Sequence, residues 1–304
     1  MAVEDRLKTA LDESRLLILG VQVLFGFQFE AAFQDLFADV PAGSRHVHCA
    51  GLMLLLAAMG LLIAPSLFHQ IIHRGNSTPG AVRMATAFAG ASLLPLTLGL
   101  GVAIFVTFEQ LFNRGVGIAA GVSLAAIALL LLYGLGFALR EKREQPMQDQ
   151  PTGVSLKSKI EQMLTEARVI IPGAQALLGF QLIAVLTKAF SELPPFFRYI
   201  HCAALSAVAL SVILLMTPAA LHRIGFRGED SPTFFRIGSR FVVAGSVPLA
   251  VGIAADVAVV FFKALGSENG AIVAGLVSLF GLLGLWLGYP FWLRAATSSQ
   301  ASKA

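Results

Sequence analysis

Residues 13–28 read ESRLLILGVQVLFGFQ, and residues 166–181, lying 153 positions further on, read EARVIIPGAQALLGFQ. Each is an apolar run of helical length behind a Glu-x-Arg pair, with Gly-x-Gln and then Gly-Phe-Gln at the same places. Extending outward at the same offset, Arg45, His48 and Cys49 meet Arg198, His201 and Cys202. Pro65, His69, Pro79, Arg83, Pro95 and Gly99 meet Pro218, His222, Pro232, Arg236, Pro248 and Gly252. In all, 31 of the 87 positions from Glu13 to Gly99 are identical without a gap. One inserted residue then carries Gly121 onto Gly275. Self-similarity on this scale is the signature of a tandem duplication.

What is duplicated is a membrane unit. The 304 residues are 56% hydrophobic and 13% charged, where a soluble domain carries about 25% charge to cover its core. Mean hydropathy is +0.77. A hydrocarbon core of about 30 Å takes roughly 20 apolar residues in helical form. Eight stretches qualify: 16–37, 47–72, 82–108, 116–139, 169–190, 199–221, 237–262 and 271–293. Runs such as Ala125-Ala126-Ile127-Ala128-Leu129-Leu130-Leu131-Leu132 do not alternate as barrel strands would, and only helices or closed barrels satisfy their backbone in lipid. The expected fold is an all-α membrane protein with eight transmembrane helices, arranged as two four-helix repeats. An even number of spans per repeat makes the repeats parallel, related by a pseudo-two-fold axis along the membrane normal. The expected boundaries are 1–139 for the first repeat, 140–154 for a cytoplasmic linker and 155–304 for the second repeat.

The basic residues set the orientation. Of the 22 Lys and Arg, 17 fall in the N-terminus, the 73–83 loop, the 140–168 segment, the 223–240 loop and the C-terminal tail. The other side holds Arg45, Arg114, Lys188, Arg198 and Lys263. Both termini are therefore expected in the cytoplasm of a multi-pass protein of the bacterial inner membrane. The pI near 9.3 arises from these scattered loop charges and not from a phosphate-binding patch, so nucleic acid is not an expected partner. No small-residue cleavage site follows the first apolar run, and the first span is expected to be kept. Two cysteines do not make a disulfide framework. Residues 4–15 and 155–167 read as amphipathic helices leading into the first span of each repeat. In the second, Leu156, Ile160, Met163 and Leu164 share a face suited to the membrane interface.

An ionisable residue deep in a span costs about 2.5–3.5 kcal/mol on insertion scales and normally faces protein or water. Glu30 and Asp256 are such residues, expected to share a polar cavity in the outer half of the membrane. Neither is duplicated, since Ile183 stands opposite Glu30 and Ala103 opposite Asp256. Gln22 and Gln175 join them as pathway candidates; Gln22 falls on the same helical face as Arg15, Gly26 and Glu30, while Gln28 points to the opposite one. Pro95 and Pro248 interrupt the third span of each repeat and free the carbonyls of Ala91 and Ala244, a pattern that in transporters points to a cation site. Glu13, Arg15, His69, Glu166, Arg168 and His222 are expected to form a charged cytoplasmic rim, with His69 and His222 as pH-sensitive elements. His48 and His201 are the weak metal candidates. Their neighbours Cys49 and Cys202 point about 100° away on a helix and do not complete a four-ligand site. The same four histidines in two duplicated pairs also fit a b-type haem protein.

Glu-x-Arg, Gly-x-Gln, the phenylalanine-rich end of the first span and Pro-x-x-x-His (Pro65, His69; Pro218, His222) together resemble an uncharacterised bacterial family of four-span integral membrane proteins, often labelled sodium:proton antiporters. The resemblance covers nearly the whole chain, once per repeat, and this chain departs from a single-unit member by being doubled. Nucleophile elbows, phosphate loops and HExxH are absent, so no enzyme is expected and no cofactor. The leading reading is a small-cation or proton-coupled transporter or channel. A structural membrane protein without substrate and a b-type haem electron carrier are the alternatives. Membrane lipid, a cation or proton, and further copies of the chain are the expected partners.

Overall fold

In the computed structural model the described residues are 3–134, 155–224, 226 and 230–301. The linker expected at 140–154, and the side chains of Glu13 and Arg15, lie outside the described parts. Helix α1 is Val3–Ala31, and a short 3-10 turn, Asp35–Asp39, follows it. Next come α2 (Ala42–Ile71), α3 (Pro79–Leu111) and α4 (Arg114–Leu129), which runs on through a π turn, Leu130–Gly134. The second repeat has α5 (Leu156–Ala184), a single turn at Lys188–Ser191, α6 (Pro195–Ile224) and α7 (Pro232–Leu265). It ends with α8 (Glu268–Leu283), a second π turn at Gly284–Gly288 and α9 (Tyr289–Ala301).

The sequence punctuates these helices in the same way twice. Thr78-Pro79 and Ser231-Pro232 start α3 and α7: the hydroxyls accept from the backbone N–H of Ala81 and Phe234, and proline occupies the first helical position, where no N–H is needed. Asn113 and Ser267 cap α4 and α8 likewise. Among the described residues, six helices are long and apolar enough to cross a membrane: α2, α3, α5, α6, α7 and α8 with its continuation. The apolar parts of α1 (Leu17–Ala31) and α4 (Arg114–Leu129) are shorter. The chain is thus an all-helical, multi-pass membrane protein made of two repeated domains.

Two expectations about the first helices are corrected. The amphipathic segments 4–15 and 155–167 do lead into the first span of each repeat, each as one continuous helix, but their apolar faces are not turned to a membrane interface. No glycine or proline interrupts either junction, so the hydrogen-bond ladder simply continues. Their apolar faces pack on protein. Leu7 and Leu11 cluster with Ala81, Val82 and Ala85 of α3. Ile160 and Met163 are buried in the main core, and Met163 lies over Gly238 of α7, where any Cβ would collide with it. The first span also ends sooner than 37. The helix stops at Ala31, and the chain turns through Asp35–Asp39 with Phe37 and Val40 buried.

The repeats meet along α1 and α5, and the small residues of the duplicated motif allow the approach. Gln22 occupies the space a Cβ on Gly173 would need, and Phe180 does the same at Gly26. The remaining contacts between repeats are unequal. Helix α2 packs against α7, the second π turn and α9, while α3 and α6 make no comparable contact among the described residues. Protein encloses 67% of the apolar stretch of α2 and of α7, against 28% for α3 and 33% for α6. The centre of the molecule is therefore α2 and α7, which are not counterparts of each other in the duplication.

Candidate functional site

Two buried polar clusters lie where the repeats face each other. The first is built on α5, α6 and α7. Asp256 of α7 is wholly buried and accepts a hydrogen bond from Gln181 Nε2 at 2.7 Å. The backbone carbonyl of Gln181 lies 3.0 Å from His201 Nε2. A carbonyl oxygen can only accept, so Nε2 carries the hydrogen and Nδ1 is left toward Asp256. Nδ1 is 3.7 Å from Oδ1, and neither atom has a hydrogen-bond partner among the described residues. At this separation the two atoms face each other just beyond hydrogen-bond distance. Phe190 packs edge-on to the His201 ring, and Phe29 of the first repeat stacks on it, which seals the group from lipid.

The first repeat reproduces half of this arrangement. His48 Nε2 lies 3.0 Å from the carbonyl of Gln28, and Phe37 packs edge-on to the His48 ring. The place of Asp256 is taken by Ala103, and His48 has no carboxyl partner among the described residues. Gln181 is the member that sequence reasoning misses. Its counterpart Gln28 falls on the face opposite Gln22 and Glu30, and the direction of that face toward α2 and α6 is a tertiary fact. The duplicated Gly-Phe-Gln is the available signal.

The second cluster joins the repeats at the end of the bundle bearing the arginine-rich loops. Glu166 of α5, 1% exposed, lies 2.8 Å from His69 Nδ1 of α2 and also accepts from Gln70 Nε2. His69 and Glu166 therefore meet across the two repeats. Arg168 is exposed, and His222 stands 3.7 Å from Asp230 against the ring of Phe234. Next to His69, His73 lies in the loop after α2 and shares a contact with Thr78 Oγ1 at 3.1 Å. Burial, and secondarily the charge of His69, pushes His73 down to about 4.

The other candidates are dispersed. Glu30 is half-buried and accepts from Gln34 Nε2 at 2.9 Å. Gln34 lines an open cavity of about 460 Å³ with Asp35, Arg45, Lys188, Glu192 and Lys263. Asp256 is not among the residues lining this cavity. Lys263 sits seven residues beyond Asp256 on α7, about 10 Å along the helix. Gln22 is buried over Gly173, whereas Gln175 is exposed. Near Pro248, Ser211 Oγ donates to the carbonyl of Gly245; near Pro95, Tyr133 donates to that of Gly90. Hydroxyl groups thus bond backbone carbonyls close to both prolines, next to the carbonyls of Ala91 and Ala244 that the prolines leave without an N–H. Among the described residues no group of three His, Cys, Asp or Glu is placed to hold a metal ion, and His48 and His201 each serve a glutamine carbonyl of their own repeat.

Residues 3–136 and 155–290 each match the model of a family of unknown function, DUF6328. No curated protein and no solved structure matches the chain. The chain belongs to DUF6328, as a tandem duplication of its unit.

Proposed function

We propose that this tandem DUF6328 protein is a proton-coupled transporter that crosses the bacterial inner membrane eight times with both termini in the cytoplasm, and that Asp256 is its proton-binding carboxyl. One observation carries the reading: Oδ1 of the wholly buried Asp256 faces His201 Nδ1 at 3.7 Å, and neither atom has a hydrogen-bond partner among the described residues. Such a group is costly in a membrane helix and serves packing poorly, because an apolar residue would fill the space at less cost. The charged cavity lined by Gln34 and Lys263 lies about 10 Å along α7 from Asp256, and Glu30 accepts from Gln34. The Glu166–His69 pair stands at the other end.

A purely structural role is the second reading, and the first repeat favours it. There the histidine–carbonyl contact ties α2 to α1 without any carboxyl. Reconstitution into liposomes with a trapped pH-sensitive dye separates the two. Under the transport reading, an imposed pH gradient collapses faster in the presence of the protein, and Asp256→Asn slows that flux at least tenfold with little change in melting temperature. The same flux in Asp256→Asn and wild type, or none in either, overturns it. Repeating the assay with sodium or potassium gradients identifies a coupled cation. A visible spectrum of the purified protein tests the haem alternative directly.

A further inference from the structure

On the flank where α2 meets α7, an open groove of about 670 Å³ runs along the seam between the repeats. Four arginines converge at its arginine-rich end: Arg74 from the loop after α2, Arg236 and Arg240 one turn apart on α7, and Arg294 on α9. No carboxylate lines the groove among the described residues, and none of Arg74, Arg236 and Arg240 is ion-paired among them. Away from the arginines the walls become apolar, through Val243, Val247 and Phe291. Val247 is seven residues past Arg240, about 10 Å deeper along α7.

The groove is shaped by the fold and is not a chance gap. Arg74 and Gly75 both have positive φ, and the turn they make seats the ring of Phe235 where a Cβ on Gly75 would have to be. Arg294 reaches back to the carbonyl of Ile71 at 3.5 Å. Gln70, another lining residue, is held by Glu166. In the sequence Arg74, Arg236 and Arg294 have counterparts in Arg227, Arg83 and Arg140, but the counterpart of Arg240 is Ala87 and that of Phe235 is Val82.

We propose that this groove binds one anionic phospholipid, its phosphate among the arginines and an acyl chain along Val243, Val247 and Phe291. Guanidinium groups present paired donors that match phosphate oxygens, and basic pockets between transmembrane helices suit anionic headgroups. The apolar continuation of the groove selects a lipid over a free anion. Bound there, the lipid bridges the repeats on the side where they are already joined.

The test is native mass spectrometry of the full chain in a neutral detergent. It is offered phosphatidylglycerol, phosphatidylcholine with the same acyl chains, or glycerol phosphate alone. Retention of one phosphatidylglycerol, at least tenfold above phosphatidylcholine, is expected. Arg236→Gln combined with Arg240→Gln should remove that preference, while Arg83→Gln, on the open flank, leaves it intact. Both arginines of the double variant are exposed, so folding should survive. Val247→Phe, which narrows the groove without altering charge, should lower retention independently. Equal retention of phosphatidylcholine, an undiminished preference in the double variant, or glycerol phosphate binding as tightly as the lipid would each overturn the proposal.

Discussion

The two flanks of the molecule descend from one ancestral surface and have become different. On the closed flank, Trp286 Nε1 donates to the carbonyl of Gly60 at 2.9 Å, and the side chains of Leu282 and Leu285 lie against the bare Cα of that glycine. On the open flank the counterparts are Leu132 and Ile213, which are 45% and 62% exposed. In lipid an exposed isoleucine carries no solvation penalty, so helices associate through close backbone approach, packing and hydrogen bonds. A glycine and an indole provide all three. An isoleucine and a leucine provide none, and the same helices stay apart. Duplication supplied two equivalent surfaces, and two pairs of residues decide which one closes.

The two flanks should therefore respond unequally to equivalent changes. Trp286→Ala should destabilise the protein most, by roughly 3 kcal/mol from the vacated volume and the lost hydrogen bond. Leu132→Ala should change stability by less than about 0.5 kcal/mol. Thermal unfolding in detergent compares them, and equal losses would break the comparison. At the α1–α5 seam, Gly173→Ala forces Gln22 to move and should cost about 1–3 kcal/mol as overpacking. Its counterpart Gly20 has open space, with no atom within 4 Å of where a Cβ would stand, so Gly20→Ala should instead stabilise α1 by about 0.5–1 kcal/mol. The same unfolding measurement reads both, and a shift of the same sign in the two variants would contradict the asymmetry of the seam.

The smallest effect concerns pH. His73 is held down to about 4 from an ordinary value of 6.5, while its counterpart in the second repeat is Phe226. The unfolded chain takes up this proton as the pH drops below 6.5, and the folded chain resists it until near 4. The stabilising effect of a neutral His73 is therefore complete above the unfolded value and is lost as pH falls through this window. Melting temperature should decline between pH 6.5 and 4 in the native protein and decline less in His73→Phe. Identical pH profiles would remove His73 from the account.

Much of the candidate site is legible in the sequence as isolated residues. Asp256 stands out as a carboxyl deep in a span, and His69 and Glu166 stand out through the duplicated motifs. Which of them touch is not legible. Residue counting puts Glu30 and Asp256 at a similar depth, yet one bonds to Gln34 beside an open cavity and the other to Gln181 in the core. Depth follows from counting residues along a helix; direction depends on how each helix is rotated against its neighbours. Gln181 is marked only by the duplicated Gly-Phe-Gln; a polar amide at the end of an apolar run reads as ordinary until a carboxyl from another helix is brought against it.

The sequence by itself determined that this is a helical membrane protein and that it was made by tandem duplication. Charge content, apolar run length and a 153-residue offset are properties of the chain that survive any packing. Only the tertiary structure decided that α2 and α7, rather than a symmetric pair, form the buried centre. It likewise decided that His201 has a carboxyl partner where His48 has none among the described residues. Those outcomes turn on contacts between residues as far apart as Gly60 and Trp286. In lipid such contacts gain nothing from apolarity alone, so hydropathy carries no record of them.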